Sequence, residues 1–226
     1  MTYSQPVENY VSARGRAIAI NVLMIVQLVT LSLAILLSFA GLSHLGEGDG
    51  TMLTAAGGLE GLGALLFLAT LIVYMTWVYR SIANLPALGS MSCRFTPGGA
   101  VWSFFIPFVN LVRGHQVMST IWQESQPPAV NENGFYLPRS TAIVGWWWGL
   151  VLLMRIAGSV IDRWTPVGIE DARSLIQWDI FVNLVKLAAG VLFLIMVRGA
   201  QKRQDAQWQD LQLRRQVPQP TADALR

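Results

Sequence analysis

Two basic residues interrupt long apolar stretches of this chain, and they are the side chains with the clearest claim to special chemistry. Arg155 and Lys186 each lie among residues that are otherwise nearly all apolar. A basic side chain at the centre of a membrane helix costs about 2.5–3.5 kcal/mol on insertion scales. Both residues therefore require polar or acidic partners, and those partners would define a site inside the membrane.

Polar residues at helical spacing offer these partners. One set contains Arg155 and the other contains Lys186; in each, the residues recur at i, i+4 and i+7 and so lie on one helix face. A glutamate in an earlier stretch is predicted at a similar depth in the membrane. Together they form the predicted outer charged cluster: Glu60, Arg155, Asp162, Asp179, Asn183 and Lys186. The cluster is either a structural ionic lock between helices or a site for an ion, a proton or a solute that opens to the outside. We favour the lock, because two of the acids lie at the boundary with water.

Arginines with nearby asparagines form a second candidate site, on the opposite side of the predicted membrane. A guanidinium group is planar and matches the geometry of a phosphate group, and a basic residue near an anionic leaflet contributes about 1 kcal/mol to binding. The predicted ligands are anionic lipid head groups or an acidic partner, bound by Arg80, Asn84, Arg94, Asn110 and Arg113. The alternative is that these arginines only enforce orientation and bond to loop carbonyls.

The sequence contains none of the common catalytic or cofactor-binding motifs. There is no HExxH, GxSxG or P-loop pattern, and the glycine-rich run Gly57–Gly63 lacks a lysine and opens a membrane helix. The single cysteine, Cys93, excludes an intramolecular disulfide, and His44 and His115 are too far apart in sequence to indicate a zinc or haem site. We therefore expect a protein without enzymatic activity, cofactor, metal site or nucleic-acid partner.

The elements that carry these residues are predicted to be membrane helices in an all-α fold. Of the 226 residues, 53% are hydrophobic and 13% are charged, whereas a soluble domain has about 25% charged residues. About 20 apolar residues cross a bilayer, and four stretches are long enough: Ala17–Leu42, Leu59–Val78, Thr141–Ile161 and Trp178–Val197. Glycines four residues apart predict close helix contacts at Gly57, Gly61, Gly145 and Gly149.

The distribution of Lys and Arg predicts the orientation of the four spans. The segment before the first span, the loop 79–140 and the segment after the fourth span hold 12 of the 16 basic residues. Because basic residues concentrate on the cytoplasmic side, these segments and both termini are predicted to be cytoplasmic. Residues 1–198 then form one membrane domain, and residues 199–226 form a cytoplasmic tail, with a polar helix over 200–216 and disorder beyond it.

The cytoplasmic loop contains an unusual apolar segment. Ala100–Val112 is largely apolar but too short to cross a bilayer, and Pro107 in its middle predicts a kink. From Phe108 to Trp122 the apolar residues follow a helical period. We predict a re-entrant or interfacial amphipathic segment over residues 97–125. The alternative, a fifth spanning helix, would place the basic tail outside.

The second span and the segment after it carry a series of short motifs. They are WVYR at Trp77–Arg80, Asn84–Leu85, Leu88–Gly89, RFTP at Arg94–Pro97, FFIP at Phe104–Pro107, Asn110–Leu111, Arg113, Gln116 and Ile121–Trp122 followed by Ser125. Together they resemble a bacterial membrane family catalogued as domain of unknown function 4328. The chain departs from the family at Gly114 and His115, where the family has Pro-Tyr. The resemblance implies a multi-pass protein of the bacterial inner membrane, without an established activity.

These features favour a non-enzymatic membrane module that engages anionic lipid or a membrane or cytoplasmic protein at its cytoplasmic face. The alternative is a small transporter or channel subunit that uses the outer charged cluster. Four helices enclose only a thin pore, so a transporter would require an oligomer. The sequence leaves the substrate and the oligomeric state open, a homo-oligomer included.

Overall fold

A computed structural model describes residues 10–45, 50–90, 94–126, 132–133, 139–161, 163 and 165–216 of the chain. Within these residues there is no strand, and a short 3₁₀ turn at Pro86–Leu88 follows the second helix. The six α-helices are α1 (Arg14–Ser43), α2 (Thr51–Asn84), α3 (Pro97–Trp102), α4 (Val109–Glu124), α5 (Ala142–Ile161) and α6 (Ile169–Gln216). The predicted all-α fold is therefore confirmed.

Four of these helices are long and apolar enough to cross a membrane. They are α1 with 30 residues, α2 with 34, α5 with 20 and α6 with 48. The four predicted stretches fall on these helices, and only Thr141 precedes its helix. The protein is therefore a multi-pass membrane protein with four spanning helices. α6 continues past its apolar part, so the polar helix predicted over 200–216 belongs to α6, whereas residues 217–226 lie outside the described residues.

Hydrogen bonds show that α2 and α6 run side by side in the same direction. Trp77 on α2 donates to Gln201 on α6, and one turn later the Gln204 side chain donates to the Ser81 carbonyl. α1 runs against both helices, because its first turn lies beside the end of α2 and its last turn beside the beginning of α2. α5 packs on α6. α6 thus packs on α1 and α5, and it meets α2 through side-chain contacts.

The two ends of the bundle differ in charge. The end at which α1 begins and α2 stops carries Arg14, Arg80 and Arg198, and we call it the basic end. At the opposite end α1 stops at Ser43 and α2 begins at Thr51. We call that end the far end.

Close contacts between helices form at glycines other than those predicted. A Cβ built on Gly190 of α6 would lie 2.7 Å from Leu28 Cδ2 of α1, and one built on Gly41 would lie 2.6 Å from Leu53 Cδ2 of α2. No described atom lies within 4 Å of such a Cβ at the four predicted positions, Gly57, Gly61, Gly145 and Gly149. Within the described chain these four are therefore ordinary small residues, which is the alternative that the sequence left equally open, because four-residue spacing does not tell whether a neighbouring helix covers the face.

An aromatic cluster joins three spanning helices to the loop between α2 and α5. Tyr74 is buried, and its ring lies 6.0 Å from Trp77, 5.7 Å from Phe104 and 5.1 Å from Phe193, centroid to centroid. Trp147 of α5 stacks on Phe193 at 5.8 Å. Each such pair adds about 0.5–1.5 kcal/mol beyond the area it buries. The cluster therefore holds the chain around Phe104 against the bundle.

The apolar segment of the loop forms two short helices in place of a fifth span. Thr96 caps α3 by accepting a hydrogen bond from the Gly99 N–H at 3.1 Å, and Pro97 occupies its first turn. α3 has 6 residues and α4 has 16, and each is too short to cross a bilayer. Between them the chain turns at residues 103–108, where Phe108 has a φ of 62°. We call residues 97–124 the α3–α4 segment; the kink predicted at Pro107 is a break between two helices.

Candidate functional site

Four polar side chains link α2 to α6 in the half of the bundle nearer the far end. Asn183 is fully buried, and its Nδ2 donates to Glu60 Oε1 at 2.6 Å and to Asp179 Oδ2 at 3.0 Å. Its Oδ1 accepts a hydrogen bond from Lys186 Nζ at 2.7 Å. The amide thus stands between the ammonium group and both carboxylates. We call these four residues the Asn183 network.

The helix geometry explains how this network assembles. Asp179, Asn183 and Lys186 share one face of α6, and helical side chains lean toward the N-terminus of their helix. The Lys186 side chain therefore reaches back toward Asn183 and away from the basic end. Because α2 runs parallel to α6, it brings Glu60 to the same height as Asn183. Lys186 lies about 18 Å from Arg198 along α6 at 1.5 Å per residue, so the network is deep in the predicted span.

The structure does not bring Arg155 into this network. Its side chain is exposed on α5, and it forms no ion pair with any described residue. The reason is the facing of α5: Ala157 is buried against α6, where its carbonyl accepts from Trp178 Nε1 at 3.2 Å. Arg155 is two residues away and so lies nearly on the opposite face. Asp162, the remaining predicted member, lies outside the described residues.

At the basic end, Asn84 and Arg80 hold the chain that precedes α1. Asn84 is 1% exposed, its Oδ1 accepts from the Val11 N–H at 3.2 Å, and its Nδ2 donates to the Val11 carbonyl at 2.9 Å. Arg80 Nε donates to the same carbonyl at 3.3 Å. The prediction that Asn84 binds lipid or a partner therefore needs correction, because both of its polar atoms are used inside the fold. We call residues 10–13 the N-terminal strap.

The strap is also fastened to α6, which the sequence did not indicate. Tyr10 OH donates to Asp205 Oδ1 at 2.6 Å, and Ser12 Oγ donates to the same oxygen at 2.8 Å. The Tyr10 ring stacks on Trp208 with 5.2 Å between centroids. Burial, followed by the nearby Asp205 carboxylate, raises the pKa of the Tyr10 phenol. The phenol therefore stays protonated as a donor at neutral pH.

Glutamines on the last part of α6 build a polar core at the basic end. Gln201 Oε1 accepts from the buried Trp77 Nε1 at 3.1 Å, and Gln204 Nε2 donates to Ser125 Oγ at 3.0 Å. Gln207 Nε2 donates to the Leu88 carbonyl at 2.9 Å. These glutamines recur every three residues, and that spacing was the one sequence signal that the tail has a packed face.

An arginine packs on the same part of the α6 surface. The Arg203 guanidinium lies over the Trp122 ring at 3.9 Å from its centroid, a distance at which a cation is attracted to the ring face. Burial lowers the pKa of this guanidinium from its ordinary value. A Cβ on Gly199 would lie 3.0 Å from the Trp122 ring. α6 and α4 therefore meet through this tryptophan.

The remaining predicted residues lie on or beside the α3–α4 segment. Arg94 and Arg113 are exposed, and no described contact joins either of them to Arg80. Asn110 Oδ1 is buried and has no hydrogen-bond partner among the described residues. It lies 3.0 Å from where a Gly114 Cβ would be, and Trp148 lies 2.7 Å from that point. Gly114, one of the two departures from the family pattern, thus leaves room for Trp148 against α4.

Comparisons with known proteins agree with this description at the level of a family. Residues 51–202 match the family described as Domain of unknown function (DUF4328). The match begins with α2 and includes the α3–α4 segment, α5 and the Asn183 network, and it ends just after Gln201. Comparisons with curated proteins and with solved structures found no match.

Proposed function

Because this chain belongs to the DUF4328 family, whose description assigns no activity, we propose a function from the geometry alone: it is a non-enzymatic membrane module whose basic end binds anionic lipid head groups. The observation that carries the proposal is an exposed apolar turn in the α3–α4 segment, flanked by exposed arginines on or just before that segment. We also propose that the basic end faces the cytoplasm, in a bacterial inner membrane, as the distribution of Lys and Arg predicts.

The turn between α3 and α4 exposes large apolar side chains. Phe108 is 84% exposed and Trp102 is 67% exposed, and Phe105 and Ile106 between them are also exposed. The positive φ of Phe108 lies in a region that bulky residues rarely adopt. A group of exposed apolar side chains of this kind indicates contact with a membrane or with another protein. The inner leaflet would cover it without any further partner.

The height of this turn agrees with a position at the membrane boundary. Trp77 bonds to Gln201, so Arg198, three residues earlier on α6, lies level with Tyr74, three residues earlier on α2. Arg198 is exposed, and an exposed cation on a spanning helix belongs at head-group depth. Phe104 contacts Tyr74. The α3–α4 segment therefore lies near the depth at which head groups begin.

Arg94 and Arg113 flank the turn in positions suited to head groups. Arg94 precedes the cap of α3, and Arg113 lies in the second turn of α4. The sulfur of Met118 accepts from the Tyr74 hydroxyl at 3.7 Å, so Met118 lies at the level of the head-group boundary. Arg113 lies about 7.5 Å from Met118 along α4. An arginine side chain is long enough to cover about that distance with its stem in apolar surroundings, here against the N-terminal lean of helical side chains.

The test compares the lipid preference of the wild type with that of an Arg94→Gln/Arg113→Gln variant. Protein in nanodiscs would be given spin-labelled anionic or zwitterionic phospholipid, and the immobilised fraction of each would be measured. Each arginine contributes about 1 kcal/mol, so the variant should lose up to about 30-fold of its preference for the anionic lipid. Arg80 is left intact, because it also holds the N-terminal strap.

An Arg173→Gln variant is the matched control, since Arg173 is a partly exposed arginine near the start of α6 at the far end. It should keep the full preference for anionic lipid. Equal preference in the wild type and the double variant would contradict lipid binding at this site. A loss of the same size in Arg173→Gln would show that total charge, and not this surface, determines the preference.

A second candidate function is a small transporter or channel subunit. It is favoured by one observation, the Asn183 network, in which a buried amide joins partly buried charges of two spanning helices. A flux assay in liposomes separates the two functions. Ion or solute movement that is abolished by Asn183→Leu and unaffected by the double arginine variant would support transport.

A further inference from the structure

Asn183 uses both of its N–H groups and its oxygen to keep unlike charges apart. Its two N–H groups face Glu60 and Asp179, and its oxygen faces Lys186. Among the described residues, Lys186 forms no direct ion pair with either carboxylate. A simple ionic lock would place the ammonium group against a carboxylate, so this arrangement calls for another explanation.

The two carboxyl groups lie close to each other. Both accept from the same nitrogen atom, so their oxygens cannot be further apart than the sum of the two bond distances. Two ionised carboxylates offer only acceptors and repel each other, whereas one protonated carboxyl becomes a donor to its neighbour. Two carboxylates held on one nitrogen atom are therefore more stable when one of them carries a proton.

The charge balance of the surroundings leads to the same requirement. With both acids ionised, Glu60, Asp179 and Lys186 leave one net negative charge around a fully buried amide. α1, which packs on both helices, has no ionisable residue from Ala17 to Ser43, and Arg155 on α5 faces away. An uncompensated charge in apolar surroundings is costly. One added proton makes the network neutral.

We propose that Glu60 and Asp179 form a proton-binding site that holds one exchangeable proton between α2 and α6. The proton comes from water on the far-end side: a hydronium ion gives it to one carboxylate, which then donates to the other, and water is released. Lys186 stays charged and is held away by Asn183. Loss of the proton would leave two ionised carboxylates on the same amide nitrogen and push α2 and α6 apart at this height. The proposal does not depend on lipid binding at the basic end.

Infrared difference spectroscopy of the full chain in lipid tests this directly. At neutral pH the wild type should show a carboxylic-acid C=O band that shifts in D₂O and disappears when the pH is raised. Glu60→Gln and Asp179→Asn should each remove the band, and because both substitutions imitate a protonated acid, both variants should fold. Glu124→Gln is the control, since Glu124 accepts from Ser90 at the basic end at 2.9 Å and should not contribute to the band.

Two results would overturn the proposal. One is a wild-type spectrum without an acid band at neutral pH, which would mean that both acids are ionised. The other is a band that survives in both Glu60→Gln and Asp179→Asn. Loss of the band on adding a Na⁺ or K⁺ salt at constant pH would also count against it, because a metal cation would then hold the site. Lipid preference measured on the same samples would remain unchanged if only the proton site fails.

Discussion

The two ends of the bundle bury polar side chains in different ways. At the basic end the buried groups are neutral and pair directly: Asn84 holds both backbone atoms of Val11, and Gln201 accepts from Trp77. Toward the far end, three ionisable groups share one neutral amide, Asn183. Neutral pairs stabilise a fold at any ordinary pH. The stability of an amide shared among unbalanced charges depends on which of those groups are protonated. We therefore expect the neutral pairs of the basic end to stabilise the fold at any ordinary pH, and the stability of the Asn183 network to depend on pH.

Gene fusions assign the two ends to the two sides of the membrane, with an all-or-none result. Alkaline phosphatase joined after Glu170, at the far end, should be active because it is exported. Phosphatase joined after Gln126 or Gln216, at the basic end, should be inactive. Activity from the Gln216 fusion would reverse the orientation, and lipid binding would then concern the opposite leaflet.

Removing the shared amide should have the largest effect on stability. Asn183→Leu leaves two carboxyls and an ammonium without their bridge in a spanning segment, and breaking a buried charged arrangement costs about 3–5 kcal/mol. The partial exposure of Lys186 reduces this cost. Thermal unfolding in detergent measures it. Asn110→Leu is the matched control, because Asn110 Oδ1 has no partner among the described residues, and it should be neutral or stabilising.

A second substitution tests whether charge balance, and not shape, matters at the Asn183 network. Lys186→Met removes the only cation, so unfolding should occur at a lower temperature at neutral pH. Adding Asp179→Asn leaves Glu60 as the one acid of the network, and a single bound proton makes it neutral. The double variant should therefore recover part of the loss, because replacing both members of a charged pair can be nearly neutral. A Lys186→Met variant as stable as the wild type would show that Lys186 does not compensate the carboxylates.

At the basic end, the loss of one neutral pair should cost less. Gln201→Leu leaves the buried Trp77 Nε1 without its acceptor, and an unsatisfied buried donor costs about 1–3 kcal/mol. The same unfolding measurement applies. Gln209→Leu, on an exposed position of the same helix, should leave stability unchanged, and equal losses in the two variants would mean that α6 is weakened by leucine and not by the lost bond.

The smallest effect is expected from the N-terminal strap, and it depends on pH. The pKa of Tyr10 is raised when the strap is docked, so its contribution is complete below the ordinary tyrosine value of about 10 and is lost as the pH rises through the docked value. A spin label on Val11→Cys, in a Cys93→Ser background, should become mobile only in strong alkali. Tyr10→Phe should remove this pH dependence and cost about 1 kcal/mol.

Hydropathy predicted the four spans because a helix needs a long apolar run to cross a bilayer, and such runs are visible in the sequence. Spacing also predicted three members of the Asn183 network, since one helix face is defined by i, i+4 and i+7. Arg155 was assigned wrongly because the sequence of α5 alone does not tell which face meets α6. The face became known only from the contact at Ala157.

The partners of the polar core at the basic end were the part that the sequence could not show, although the spacing of the glutamines indicated a packed face. A buried glutamine and a solvated glutamine look alike, so Gln201 and Gln204 were interpreted as parts of a polar tail. Asn84 was similarly assigned to lipid, although its partner is a backbone group of the strap. In both cases the partner is distant in sequence, and no local pattern specifies it.

The central claim, that the basic end contacts anionic lipid, is tested most directly by a photo-crosslinking residue at Phe108, the most exposed side chain of the turn between α3 and α4. In membranes of mixed composition it should form adducts mainly with lipid, and anionic lipid should be enriched over its share of the membrane. The same residue at Val167, which is 85% exposed near the start of α6, should show no such enrichment. Adducts with a protein in place of lipid, or lipid adducts in simple proportion to composition, would contradict the account.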